Sequence, residues 1–359
     1  MTTEPVLDPS VDPAGIPVVD LARHAASLEP ALSEAVARVA RSGQYLFGPE
    51  LTAFEEEFAA FTGRRYCVGV ASGTDALRLS LVAMGVGPGD EVLVPAFTAV
   101  PTAAAVGAAG ATPVFVDVER ATGAIDAVAA AAAVTDRTRA VIPVHLYGRP
   151  ATIPDLGLPV LEDAAQAAGA LTAPLPGQSG SAAAAYSFYP TKNLGGICDG
   201  GAVVTDDPAL AAELRLLRAH GVTDGYVHTR VSTNARLSDL AAAALRVGLP
   251  RLTFDNERRR AIAARYREAA PGLTWHPDHP RHVYHLCVAR VPDRDAFRSA
   301  APFGTGVHYP LALTQQPAYA GFVRDACPEA EAWAAECVSF PCFPEMTDDE
   351  VEAVCRAIP

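Results

Sequence analysis

Lysine is almost missing from this sequence. Of its 28 lysines and arginines, 27 are arginine, and the exception is Lys192. Basic runs are missing too. The net charge is −13 with no cationic block, which argues against nucleic acid or an anionic membrane as a partner. No apolar stretch free of turn residues reaches membrane-spanning length. The leading "MTTEPVLDPSVDPAG" has acids and prolines where a secretion signal needs a basic and then an apolar run. The seven cysteines (Cys67, Cys198, Cys287, Cys327, Cys337, Cys342 and Cys355) are odd in number and form no CxxC pair. They read as reduced thiols in a cytoplasm, with no metal to hold. Neither GxGxxG nor GxxxxGK[ST] occurs, so the fingerprints of a Rossmann cofactor site and a P-loop are both lacking.

What remains centres on the single lysine. Arginine replaces lysine in ion pairs and surface solvation, but its guanidinium never gives up a proton. A Schiff base with a carbonyl needs a primary amine that does. Lys192 sits in "SFYPTKNLGG", between Pro190 and the pair Gly195 and Gly196, after the apolar run "AAAAYSFY". That context predicts a strand-exit loop, not a solvated helix face.

At 359 residues, with 50% hydrophobic and 19% charged residues, the chain is an ordinary globular protein of about two domains. "LEPALSEAVARVARSG" and "ELTAFEEEFAAFTG" have helical spacing and end at Gly43 and Gly63. Seven short apolar runs follow: "YCVGVAS", "DEVLVPA", "TPVFVDV", "RAVIPVHL", "LPVLEDA", "AAAAYSFY" and "GAVVTDD". Ala-rich helical segments separate several of them. Continuous apolar runs joined by helices indicate parallel strands buried on both faces. The expected class is therefore α/β with a mostly parallel sheet. A leader (1–19), a large domain (20–245) and a smaller C-terminal α/β domain (246–359) are expected. Residues 237–270 read as helical with a break near Gly248 and Pro250.

Two further stretches carry candidate chemistry. In "VGVASGTDAL" a strand runs into a helix whose free amides, with Gly73 and the Thr74 hydroxyl, fit a phosphate. Ser72 with Asp75 equally resembles a capping box. In "PVLEDAAQAAGA", Asp163 falls at the carboxyl end of a strand, the edge where open α/β sheets bind ligands. It fits either a helix cap or the partner of a protonated pyridine nitrogen. Ser187 lies five residues before Lys192 and offers another hydroxyl.

"SGTDAL", "EDAAQAAGA", "SFYPTKNLGG", "DGGAVVT", "NARLSDLAAAALR" and "VHYPL" occur in the order seen in the DegT/DnrJ/EryC1/StrS aminotransferases. The chain resembles that family from "IPVVDLARH" onward. The resemblance implies the aspartate-aminotransferase fold (fold type I), a pyridoxal 5'-phosphate cofactor and a homodimer with shared sites. It implies amino transfer from glutamate or glutamine to a nucleotide-linked keto sugar or a keto-cyclitol, in secondary-metabolite or cell-surface sugar biosynthesis. On this resemblance Lys192 carries the cofactor and shuttles the proton, and Asp163 partners the pyridinium nitrogen. Gln166 meets the ring hydroxyl, while Gly73, Thr74 and Ser187 hold the phosphate. Asn234 reaches the other subunit's phosphate, and His308 and Tyr309 line the substrate side.

Three positions depart from the family pattern: Ala99 where many relatives stack an aromatic ring, Ala168 where histidine is frequent, and Cys198 in place of a small residue. The related sugar dehydratases carry histidine at the lysine position, so Lys192 argues against that activity. A non-enzymatic regulator would have no need to keep the amine.

Overall fold

In the computed structural model, residues 15–170 and 181–358 are described, so the first 14 residues of the expected leader fall outside them. Each of the seven apolar runs is a strand: β1 (Tyr66–Val70), β2 (Glu91–Pro95), β3 (Thr112–Val116), β4 (Thr138–Val141), β5 (Val160–Asp163), β6 (Ser181–Ser187) and β7 (Gly201–Thr205). They form one sheet in the order β1-β7-β6-β5-β4-β2-β3. Parallel pairing runs from β6 through β5, β4 and β2 to β3.

Strand β7 is the exception, antiparallel to both β1 and β6. Its apolar run looks no different from the others. The connection decides its direction: residues 188–200 contain no helix, and a parallel return needs a crossover, usually a helix. That connection is the loop carrying Lys192.

Helices α1 (Leu21–Ser27), α2 (Ala31–Ser42) and α3 (Pro49–Thr62) precede the sheet, with Gly43 and Gly63 closing α2 and α3 in the left-handed conformation. Three crossover helices follow, α4 (Gly73–Ala83), α5 (Val100–Ala108) and α6 (Ala127–Ala132), and then α7 (Pro208–Leu217). The expected break in the long helical stretch is a 3-10 turn, Leu249–Arg251, between α8 (Asp239–Gly248) and α9 (Leu252–Ala269). Beyond it, β8 (Thr274–Trp275), β9 (Cys287–Arg290) and β10 (Cys337–Phe340) form an antiparallel sheet in the order β10-β9-β8. Helices α10 (Arg294–Ala300), α11 (Pro328–Glu336) and α12 (Asp348–Ala357) complete this part.

Helix α4 lies on β6 and β7, where the small Ala183 and Ala185 let it approach. On another face, Phe188 packs edge-on against Phe54 and Phe58, with ring centroids 5.3 Å apart in both pairs. A fully buried phenylalanine contributes about 1.5–3 kcal/mol of transfer free energy. Phe188 is the first residue of the Lys192 loop, so the loop starts from a packed anchor.

The "RLSDLA" stretch has a purpose that its own helix conceals. Asp239 is fully buried at the start of α8. Its Oδ2 accepts the Gly48 amide at 2.9 Å, and its Oδ1 accepts the Glu50 and Leu51 amides at 3.1 and 3.2 Å. One carboxylate thus caps α3, about 190 residues upstream, where a negative charge also suits the helix dipole. Asp239→Ala should cost about 2–4 kcal/mol, because two buried amides and one half-buried amide lose a charged acceptor. A thermal melt of the variant checks this. An unchanged midpoint would mean that water replaces the carboxylate.

Candidate active site

The carboxyl ends of β1, β5 and β6 open on one edge of the sheet. Asp163, the last residue of β5, is buried there. Thr102 Oγ1 on α5 donates to Asp163 Oδ2 at 2.8 Å, and the Ala165 amide donates to Oδ1 at 3.1 Å. Among the described residues 164–170 that follow β5 no helix begins, so Asp163 holds a turn and does not cap a helix there. Burial raises its pKa, against the pull of Thr102, the Ala165 amide and Lys192. A buried carboxylate with two neutral donors still lacks a cationic partner in contact.

Lys192 answers it from the next loop. Burial lowers its pKa from 10.5 to about 8, and the nearby Asp163 charge opposes the fall. The loop is fastened by the Lys192 amide to the Tyr189 carbonyl and by the Gly196 amide to the Phe188 carbonyl, both at 2.8 Å. Any Cβ at Gly195 would stand 2.2 Å from the Pro190 carbonyl oxygen, which is why glycine follows the lysine. Next in the chain, Asn193 Nδ2 donates to Asn256 Oδ1 at 2.6 Å and to the Val283 carbonyl at 2.9 Å. This ties the loop to α9.

The phosphate and capping readings of "SGTDAL" coexist. Ser72 Oγ accepts the Asp75 amide at 3.0 Å and caps α4. The amides of Gly73 and Thr74 form no hydrogen bond among the described residues, as expected for the first turn of a helix. Gly73 faces Ser187: a Cβ on it would lie 2.7 Å from that of Ser187. Free amides, two hydroxyls and a bare glycine make a cradle that a phosphate dianion fits. With an amine and a buried acid on the same edge, the residues present fit pyridoxal phosphate.

Gln166 is engaged at both ends. Its Oε1 accepts the Tyr147 amide at 2.6 Å, and its Nε2 donates to Tyr309 Oη at 2.8 Å. Tyr147 is fully buried in the left-handed region (φ 57), held by that bond and by its own hydroxyl on the His308 carbonyl at 2.5 Å. Burial, and secondarily the Lys192 charge, lowers the His308 pKa to about 4, so its ring is neutral at pH 7. Its Nδ1 pairs with Ser339 Oγ at 2.8 Å.

Lys192, Gln166, His308 and Tyr309 line one cavity of about 480 Å³. Sequence reasoning missed Arg259, His285 and Arg298, which share it, and Thr102, which holds Asp163. Of these, only Thr102 left a trace, as a hydroxyl three residues after Ala99. Ala99 is the N-cap position of α5 and brings no ring; the nearby Phe97 packs against Trp333 at 5.9 Å. Ala168 is buried and Cys198 is exposed. Asn234 lies apart from the cavity residues, exposed, with its Oδ1 accepting from Arg236 Nε at 2.7 Å.

A mostly parallel sheet with a lysine loop, a buried acid and a phosphate cradle at its carboxyl edge defines an aspartate-aminotransferase-like pyridoxal-phosphate enzyme. More narrowly, residues 27–359 match the DegT/DnrJ/EryC1/StrS aminotransferase family, and the chain belongs to it. It is 44% identical to the erythromycin biosynthesis sensory transduction protein EryC1 of Saccharopolyspora erythraea, over 94% of this chain and 97% of that one. It is 43% identical to the dTDP-3-amino-3,4,6-trideoxy-alpha-D-glucose transaminase of Streptomyces venezuelae, over 96% and 95% of the two chains. The crystal structure of S. venezuelae DesV in complex with a ketimine intermediate superposes with a TM-score of 0.90 at 41% identity, covering 96% of this chain and 97% of that one. The expected fold, cofactor and enzyme class stand. Among the described residues no helix is long and apolar enough to cross a membrane.

Because Lys192 is the single lysine, its titration overlaps only with that of the α-amino terminus, whose ordinary pKa is also about 8, and a Lys192→Ala spectrum tells the two signals apart. Reductive ¹³C-methylation of the cofactor-free protein should give one lysine methyl signal, titrating with a midpoint near 8. A midpoint near 10.5 would mean that the amine is hydrated like a surface lysine.

Proposed function

We propose that this protein transfers an amino group from glutamate or glutamine to the keto group of a nucleotide-linked sugar, with pyridoxal phosphate held on Lys192. The observation that carries this reading is the amine at the carboxyl edge, shifted to a pKa of about 8 beside a buried Asp163. That shift raises the neutral, reactive fraction at neutral pH by more than about a hundredfold over an ordinary lysine. The cofactor, when bound, supplies the electron sink for the carbanion formed at the donor's α-carbon. Once the donor's amine has displaced it from the cofactor, the freed Lys192 Nζ would take the α-proton and later return one to the product carbon. Asp163 keeps the pyridinium nitrogen protonated, with Thr102 fixing its orientation. Gly73, Thr74 and Ser187 hold the phosphate, and Gln166 faces the ring hydroxyl. His308, neutral, and Tyr309 border the acceptor. The name of the S. venezuelae transaminase favours a dTDP-linked acceptor over a keto-cyclitol, and the erythromycin biosynthesis in EryC1's name favours an antibiotic pathway.

Three assignments complete the proposal. Residues 20–245 form the cofactor domain and 246–359 the smaller domain, supported by the two separate sheets. The cytoplasm suits seven unpaired cysteines. A homodimer is supported by the apolar surface near Asn234. Tyr45, Leu46 and Phe47 are each about half exposed, Val231 is fully exposed, and Arg236, which binds Asn234, lies 6.0 Å from the centroid of Phe47. Such a patch fits a partner subunit.

Incubation with ¹⁵N-glutamate and a panel of nucleotide-linked keto sugars and keto-cyclitols tests the reaction. Label in an amino sugar is expected; label in a cyclitol alone would refute the acceptor. Asp163→Asn should keep the cofactor yet lose on the order of 10²–10³-fold in rate, the range for removing one electrostatic stabiliser. Near-normal turnover would reduce Asp163 to a turn residue.

Asn234 is testable by complementation. A Lys192→Ala chain mixed with an Asn234→Ala chain forms dimers in which one site carries both lesions and the other carries neither. Partial activity should return once subunits exchange. Verified mixed dimers that stay inactive would remove Asn234 from the neighbouring site.

A further inference from the structure

Beside Lys192 the chain fixes the proton of one imidazole, through hydrogen bonds that begin at backbone carbonyls. The Ala168 carbonyl can only accept, so Asn256 presents its Nδ2 there, at 3.0 Å. That leaves Asn256 Oδ1 for Asn193, whose Nδ2 donates to it at 2.6 Å and to the Val283 carbonyl, another obligate acceptor, at 2.9 Å. With its amide nitrogen committed twice, Asn193 meets His285 through Oδ1, 3.1 Å from the ring's Nδ1. An amide oxygen donates nothing, so Nδ1 must carry the proton. All three side chains are buried, which holds the order of the chain.

Burial first, then the charge of nearby Lys192, keeps the His285 pKa well below 6.5, so the ring is neutral at pH 7 and has that one proton only. Its Nε2 is therefore a bare lone pair, able to accept and unable to donate. Nε2 forms no hydrogen bond among the described residues, and His285 lines the same cavity as Lys192. The other histidine of the cavity is not fixed in this way: His308 Nδ1 meets the Ser339 hydroxyl, which can donate or accept.

The two substrates differ in what they offer such a nitrogen. Glutamate carries two carboxylates, which only accept, and its amine is consumed in the bond to the cofactor. Glutamine adds an amide donor only at the far end of its side chain. A keto sugar is the reverse, because the carbons flanking its keto group carry hydroxyls, each with a proton to give, unless they have been deoxygenated. We propose that His285 Nε2 accepts a hydrogen bond from a hydroxyl on a carbon next to the keto carbon, so that His285 selects the acceptor sugar and takes no part in binding the donor. The proposal rests on the transamination reading above. The keto carbon has to come to the Lys192 end of the cavity, so a hydroxyl one carbon away falls among the groups beside that lysine.

The two half-reactions test this. The holoenzyme is mixed with glutamate, and bleaching of its visible absorbance is followed against donor concentration. The aminated form is then mixed with a nucleotide-linked keto sugar, and recovery of colour is followed against acceptor concentration. His285→Asn is the informative variant: its shorter amide can still donate to Asn193 in place of Nδ1, but leaves nothing where Nε2 stood. It should keep half-saturating glutamate within about twofold and raise that of the keto sugar roughly 3- to 10-fold, the loss for one neutral hydrogen bond. His285→Gln, whose longer amide reaches the Nε2 position, should recover part of the acceptor affinity. Two analogues of the sugar, each with one flanking hydroxyl replaced by hydrogen, are run in parallel. One of them should bind the wild type more weakly by a similar factor, and should saturate wild type and His285→Asn alike.

The analogues decide the matter even where the variant does not fold. A wild type that takes both as readily as the parent sugar overturns the proposal. So does a His285→Asn enzyme that loses donor and acceptor to the same degree, which would make the ring a support for the Lys192 loop. A wild type that glutamate does not bleach would defeat the transamination reading and this assignment together, whereas bleaching followed by recovery that ignores both hydroxyls defeats the assignment alone.

Discussion

Everything at the centre of this molecule depends on burying one amine close to one carboxylate. Removal of either charge from water is expensive, and their mutual attraction repays only part of it. Burial lowers the Lys192 pKa to about 8 and raises that of Asp163, and each group's charge opposes the shift of the other. The surroundings then hold both in register. Thr102 and the Ala165 amide orient the acid, while the packed Phe188 and the tight Pro190–Gly195 turn aim the amine.

Around that pair the chain recruits far-apart segments. Thr102 comes from the crossover after β2, Gln166 from the turn after β5, and His308 and Tyr309 from the stretch between α10 and β10. Tyr147 joins the last two groups, with its amide on Gln166 and its hydroxyl on the His308 carbonyl. A tyrosine with φ 57 costs on the order of 1–3 kcal/mol, and two short hydrogen bonds over-determine it. Gln166 is thereby tied to His308 through Tyr147, and to Tyr309 directly.

Legibility in the sequence followed the physics. Strands showed as unbroken apolar runs because both faces of the sheet are buried, and α2 and α3 showed because glycines end them in a left-handed turn. Lys192 stood out by rarity, and Asp163 by its place at the end of an apolar run. What stayed hidden is set by pairing over distance. The reversed direction of β7 follows from the missing crossover helix, a property of the loop and not of the strand. Asp239 looks like part of its own helix start, yet its partners are the amides of α3. Arg259 sits in "NERRRAIAARY" among three consecutive arginines, and nothing local distinguishes the one that turns into the cavity from its neighbours on the helix. Asn234 is exposed in a single chain, and nothing local marks it for the role proposed above.

The scarcity of lysine also reaches beyond the reaction. With arginine carrying every other side-chain cation, the outer surface offers no ε-amine at all. Reagents that seek primary amines, such as activated esters, aldehyde crosslinkers and amine-reactive resins, find only the chain's α-amino group and the residue at the heart of the site. Tethering or labelling such a protein through its amines and inactivating it are therefore nearly the same act, whereas a thiol-directed reagent finds the exposed Cys198.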